Sequence, residues 1–445
     1  MRVKMLSRNP DDYLRATKKD MQRVPRNYDS KLHPMEAPRE YVRAMNAAKL
    51  ERVFAKPFIA SLDGHRDGIS CLAKHPCSLS TLLSASCDGE VRFWDLTRRT
   101  CIRAIQAHTG VTSGIAVQPS GSSFISVGAD KQIRRWSMDG PVAGQPEEPL
   151  NAIVGKTVMS GVDHHWHKDL FATCGERVDL WDEQRSTPVR SLCWGNDQIS
   201  CLRFNPIETS ILGSCALDRS IVLYDIRAAS PFTKVVMRMR SNSIAWNPQE
   251  AFIFTVANED SRLYTYDMRQ MSKPLNMLLG HVAAVLDVDY SPTGRELTSA
   301  AFDRTLRIFK QDQGTSREVY HTGRMQHVIN VKWSLDNKYI LSGSDEMNIR
   351  IWKANAAEKL GVMQPREQAA LQYSERLREK YRHFPEIKRV LRHRHLPQRV
   401  YSEARQQRVM RTARKRKEDN RRENSRLGAE PPISECRKQI VSFEQ

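Results

Sequence analysis

From about residue 52 to residue 352 the chain consists of short runs in which apolar and polar positions alternate, each closed by Asp, Gly, Asn or Ser. Alternation with period two places successive side chains on opposite faces of a strand, and the polar closures supply turns. "TLLSASCDGEVRFWDL" (81–96) accordingly reads strand, tight turn, strand. After Trp352 the alternation stops. "PREQAALQYSERLREKYRHF" opens with Pro365 at a helix start and sets Ala370, Tyr373, Leu377 and Tyr381 at steps of 3, 4 and 4, an apolar stripe expected to cover the side of the folded body. "PEIKRVLRHRHLP" predicts a second helix from Pro385, with Ile387, Val390 and Leu391 inward and Lys388, Arg389, Arg392 and His395 outward. The third segment, "ARQQRVMRTARKRKEDNRREN", is helix-prone but nearly all polar, hence marginal alone in water.

The strand-rich part repeats itself. "DGEVRFWDL", "DKQIRRWSM", "ERVDLWDEQ", "DRSIVLYDI", "DSRLYTYDM", "DRTLRIFKQ" and "DEMNIRIWK" are seven versions of one phrase, with aromatics at Trp94, Trp136, Trp181, Tyr224, Tyr266, Phe309 and Trp352 and gaps of 42, 45, 43, 42, 43 and 43. "GH" opens copies at Gly64-His65 and Gly280-His281, with Ala107-His108 as a variant. The pattern resembles the WD-repeat family, which implies an all-β seven-bladed propeller over residues 52–352, four strands to a blade. The stretch "PFIASLDGH" would supply the outermost strand of the last blade and so close the ring.

The resemblance also implies a hydrogen-bonded cluster inside each blade, because a buried carboxylate needs donors. His65 with Asp88 and Trp94, and His108 with Asp130 and Trp136, fit it; Phe309 cannot donate to a cluster with His281 and Asp303. Copy three is the least regular, with Glu176 in place of the turn Asp and no clear opening His.

Charge is distributed unevenly. Residues 1–50 carry 12 Lys and Arg against 6 Asp and Glu, and residues 353–445 carry 24 against 12, which leaves +1 of the total +19 for everything between. A neutral body between an extended basic N-terminal arm (1–51) and a basic helical C-terminal region (353–445) points to a polyanionic partner. Nine cysteines without a CxxC pair read as reduced core residues, and no apolar run approaches the roughly 18 residues of a membrane span.

Catalysis needs a nucleophile beside a base, a phosphate loop or a metal cluster. "HHWH" (164–167) is the best metal candidate, but alternate strand residues face opposite ways and no Cys or acidic pair completes a site. The expectation is therefore a non-enzymatic scaffold with no metal and no cofactor.

"KANAAEKLG" after the last repeat, followed by "PREQAALQY" and "PEIKRVLRHRHLP", resembles the Sof-like WD-repeat proteins over essentially the whole chain. The resemblance implies a nucleolar component of the small-subunit processome, acting in pre-rRNA processing beside a small nucleolar ribonucleoprotein and processome proteins. On that reading Lys388, Arg389, Arg392 and Arg394 meet RNA phosphate or a partner, and "RKRK" (Arg414, Lys415, Arg416, Lys417) is a nuclear signal or RNA arm; a solvated helix face has the same composition. "YDIR" and "YDMR" on adjacent copies resemble the boxes through which WD proteins dock on the adaptor of cullin-four ubiquitin ligases, which would assign Asp225, Arg227, Asp267 and Arg269 to adaptor docking.

Overall fold

The computed structural model describes residues 17–18, 35–140, 147–195, 197–228, 230–425 and 434–444; most of the N-terminal arm, and with it the arm's path, lies outside them. The chain divides into two units. One joins Met1–Pro57 to Asn355–His393, the other Phe58–Ala354 to Arg394–Gln445, so the expected C-terminal region is shared between them.

The larger unit holds seven antiparallel sheets arranged as a propeller. The first strands of consecutive blades touch, and that of blade 7 (Val328–Trp333) touches that of blade 1 (Ile69–Lys74), so the ring closes. Phe58–Leu62 pairs with Ile349–Lys353 as the outer strand of blade 7, with Phe58 opposite Trp352 and Leu62 opposite Ile349. Copy three, for all its irregularity, forms a complete blade from Gly161 to Leu192.

Inner strands lie between neighbouring blades and lose water on both faces. That is why a second strand such as Thr81–Ser86 is small or apolar almost throughout, whereas the outer strand Thr100–Gln106 stays mostly exposed. All seven phrase aromatics are at most 4% exposed. The residue after the turn Asp takes a left-handed backbone: Gly89 at φ 89°, but also Lys131, Arg219, Ser261 and Arg304 at φ 61–70°. Glycine suits this position, yet four of these five turns put an ordinary side chain there.

The smaller unit is a helical cluster. α1 (Glu36–Val53), α2 (Pro365–Lys380) and α3 (Pro385–Arg392) share a core of Ala44, Ala48, Leu377 and Ile387, backed by Tyr41, Met45, Tyr381, Val390 and Leu391. Two alanines on α1 let the other helices approach closely, and polar contacts frame the core: Tyr381 Oη donates to Glu40 (2.9 Å), Tyr41 Oη to Glu386 (2.6 Å) and Arg52 to the Leu391 carbonyl (3.0 Å). Two expectations change here. Residues 36–53 are helical rather than extended, and the α2 stripe finds its cover in α1, leaving Ala370 and Tyr373 exposed. Helix formers dominate "RAMNAAKLERV", and Tyr41, Ala44, Met45 and Ala48 form one face.

The rest of the C-terminal region is built onto the propeller. α4 (Gln398–Glu423) is anchored by buried Val400 and by Gln407, which donates to the Val282 carbonyl at 2.9 Å. Ile440–Glu444 then adds a fifth strand to blade 4, pairing with Pro231–Met237, and Ile440 packs on the core containing Val235 and Met237. No pattern in the basic tail signals this strand. Lys438 ties the two pieces together through Glu418.

Candidate functional site

The two Asp-x-Arg boxes close equivalent strands of blades 4 and 5, Ser220–Asp225 and Leu263–Asp267. Each aspartate accepts from the backbone N–H two residues on (2.9 Å in both) and then from its own arginine: Arg227 at 3.2 and 3.2 Å, Arg269 at 3.2 and 3.0 Å. The two arginine side chains remain 76% and 65% exposed, so each box presents an arginine oriented in advance by its own aspartate. Burial raises the Asp225 carboxyl, but the bonds from Arg227 outweigh it and hold the group below its ordinary value. At Asp267 the arginine's bond is the leading influence in the same direction.

Each box also has a support that its motif does not announce. Arg190, on the outer strand of blade 3, donates to the carbonyls of Ile226, Arg227 and Ala228 at 2.8–3.1 Å and holds the first turn. Arg269 lies over the Phe252 ring at 4.3 Å, a cation–π contact.

On α3 the apolar side faces the helical core through Ile387, while Lys388, Arg389 and Arg392 are exposed. Among the described residues none of the three makes an ion pair or side-chain hydrogen bond. Arg394 differs. Its Nε lies 3.0 Å from Glu318 and donates to the Arg317 carbonyl at 2.6 Å, so this guanidinium is engaged within the larger unit rather than free for phosphate. His395 is exposed and stacks on His321 with ring centroids 5.2 Å apart. Arg414, Lys415, Arg416 and Lys417 are exposed on α4, again without an ion pair among the described residues.

Inside the propeller the cations are paired. An axial cavity of about 360 Å³ holds Lys74 at 3.0 Å from Asp289, Lys332 at 4.0 Å from the same carboxylate and Arg203 at 3.4 Å from Asp163.

The intrablade clusters separate by blade. In blade 2, His108 Nδ1 meets Asp130 at 2.9 Å and Nε2 meets Ser126 at 2.8 Å, while Trp136 donates to Ser126 at 3.0 Å. Blade 6 keeps the first two bonds through His281, Asp303 and Ser299, and Phe309 adds none. Blade 1 breaks the chain: His65 meets Ser84 at 2.6 Å and Trp94 donates to Ser84 at 2.8 Å, but His65 Nδ1 is buried without a hydrogen bond and Asp88 does not reach it. Asp88 instead takes the Ser86 hydroxyl and the Glu90 N–H. Ser86 occupies the register position of Gly128 in blade 2 and Ala301 in blade 6. Because Ala301 leaves its cluster intact, the competing hydroxyl, not bulk, diverts Asp88. Burial, reinforced by the charge of Arg92, pulls His65 down to about 4.

"HHWH" also has a structural explanation. His164 is buried against Glu183 at 2.7 Å. His165 Nδ1 accepts from the N–H groups of His167 and Lys168, the turn role filled by His75 in blade 1 and Asn205 in blade 4. Among the described residues no group of His, Cys, Asp and Glu could hold a metal.

Comparison with known proteins agrees with this architecture. The Sof1-like domain matches residues 354–440, and the WD domain, G-beta repeat matches residues 56–95, 99–137, 272–310 and 318–353. The chain is 62% identical to DDB1- and CUL4-associated factor 13 of Homo sapiens and 61% identical to that of Xenopus tropicalis, in each case over 99% of both chains. It is 43% identical to Protein SOF1 of Saccharomyces cerevisiae, over 99% of this chain and 94% of the relative. A solved structure, the WD40 beta propeller domain of Doa1, superposes with a TM-score of 0.58 at 17% identity, covering 67% of this chain and 96% of that one, and shares the fold alone. The chain therefore belongs to the family of WD-repeat proteins with a Sof1-like domain that includes DDB1- and CUL4-associated factor 13 and Protein SOF1.

Proposed function

We propose that the protein is a non-catalytic scaffold of the small-subunit processome in the nucleolus, holding pre-ribosomal RNA and processome proteins through its basic C-terminal helices during small-subunit rRNA maturation. One observation carries this reading. Lys388, Arg389 and Arg392 stand exposed on a helix whose other side is buried, while the propeller's axial cations are neutralised internally. Arginine pairs with phosphate and stacks on bases, which suits irregular RNA. The test is sedimentation of the full-length protein with pre-ribosomes after exchanging these three residues for Glu. Release with accumulation of uncut precursors supports the reading, and unchanged co-sedimentation of a folded variant makes α3 a solvated face. With Arg394 engaged elsewhere, three phosphate contacts predict a slope of about −2 for log affinity against log salt, from roughly −0.7 per contact on single strands.

A second role rests on a separate observation. Two oriented, exposed arginines on neighbouring blades suit an acidic docking surface, and the names of the metazoan relatives record association with DDB1 and CUL4. We infer that Arg227 and Arg269 dock the protein on a cullin-four ligase adaptor. Exchange of both for Ala should abolish adaptor co-purification while the propeller stays folded; adaptor retained at the wild-type level refutes the contact.

A further inference from the structure

α4 has two faces of different chemistry. Toward the propeller it sets Val400, Gln407 and Arg411, the last of these subject to the charges of Arg262 and Asp260. Outward it exposes Tyr401, Val409 and Met410 at 62%, 64% and 55%. At about 100° per residue Val409 points directly away from the side that carries Val400, Gln407 and Arg411, with Tyr401 and Met410 flanking it at roughly 80° and 100° to either side, and the three line one shallow surface groove with Arg405. Between and beyond them lie Arg405, Arg408, Arg416 and Lys417, all exposed and without ion pairs among the described residues. Residues 398–417 contain eight Lys and Arg and one acid, Glu403.

We propose that this outward face, from Tyr401 to Lys417, is a docking strip for an acidic amphipathic helix of a partner protein. The commitment to protein comes from the apolar side chains. A phosphate backbone would satisfy the arginines but leave Val409 and Met410 without apolar contact, whereas a helix offering an apolar row and flanking carboxylates satisfies both. Unbranched Met410 adapts to such a row, and the occupant's acids would complement the unpaired bases. The strip is about 25 Å long, some five turns of a packed helix. The inference deepens the proposed scaffold role by naming a protein partner's chemistry on α4; Arg416 and Lys417 are shared with the RNA-arm reading of this helix, whereas the RNA test above acts on α3 alone, so the two can fail separately.

The test uses the full-length protein and three labelled probes. One is a helical peptide of about 18 residues, five turns, with Leu along one side and Glu along the other; the second is its scramble of identical composition; the third is single-stranded oligouridine. The helical peptide should bind at least about tenfold more tightly than the scramble, a difference of 1.4 kcal/mol. Val409→Ser with Met410→Ser should remove that preference and leave oligouridine binding unchanged. Arg405→Glu with Arg416→Glu should weaken the helical peptide by a similar factor. Equal binding of peptide and scramble, or an unchanged preference in the Val409/Met410 variant, overturns the proposal and leaves a non-selective basic surface. Competition by oligouridine that survives only while Val409 and Met410 are intact would assign the strip to RNA instead.

Discussion

Blades 1 and 2 start from nearly the same phrase and end with different interiors. In blade 2 a histidine, an aspartate, a serine and a tryptophan satisfy one another; in blade 1 the same four residue types are present, but a fifth side chain, Ser86, takes the carboxylate and leaves His65 Nδ1 buried and unbonded. Possession of a motif therefore does not guarantee its bonds. A neighbour two residues away can redirect the most polar member. The same lesson applies to the basic region, where Arg394 lies two positions from Arg392 yet is held by Glu318 while Arg392 stays exposed.

This comparison can be broken most severely at the aromatics both blades share. Trp136→Ala empties a fully buried site in blade 2 and should cost about 3–5 kcal/mol in chemical denaturation. Asp130→Ala comes next. It strips the buried His108 of its partner and should cost about 1–3 kcal/mol, whereas Asp88→Ala should cost clearly less, since His65 has no bond to lose there. Equal costs for the two aspartates would contradict the difference between the blades.

pH sharpens the same contrast. His65 has a folded value near 4 against an ordinary 6.5, so the folded state prefers it neutral. Its stabilising contribution is complete above about pH 6.5 and falls away as pH drops toward 4, because the unfolded chain takes up the proton first; the upper bound is about 3 kcal/mol. His65→Gln should flatten that part of the stability–pH curve. Ser86→Ala should release Asp88 to His65, raise the histidine's pKa and narrow the window, readable by NMR titration of the ring. The smallest effect is at the turns. Arg304→Gly removes a left-handed side chain at φ 64° but adds freedom to the unfolded chain, and should shift stability by less than about 1 kcal/mol.

Much of the fold was legible because a period near 43 fixes blade number and order without knowledge of any one contact. Closure by Phe58–Leu62 was legible too, since that segment stands one strand short of a full copy. The bonds of blade 1 were not, because Ser86 and Gly128 lie outside the recognisable phrase. α1 is hidden in the sequence by the basic charge of the N-terminal arm, although Tyr41, Ala44, Met45 and Ala48 mark a helical face. The added strand Ile440–Glu444 is too short for its alternation to stand out from a basic tail, and an edge strand finds its partner only in three dimensions. For the candidate sites, the boxes and the exposed bases could be listed from sequence, but Arg190 and Phe252 carry no motif, and the engagement of Arg394 depends on a residue 76 positions away.

The central claim is that the exposed cations Lys388, Arg389 and Arg392 on α3 hold the protein to RNA. It is tested most directly by ultraviolet crosslinking in cells followed by sequencing of the bound RNA, comparing wild type with the triple variant Lys388→Glu, Arg389→Glu, Arg392→Glu. The account predicts wild-type reads concentrated on pre-ribosomal RNA and their loss in a variant that remains folded. An undiminished crosslinking pattern in that variant would contradict it.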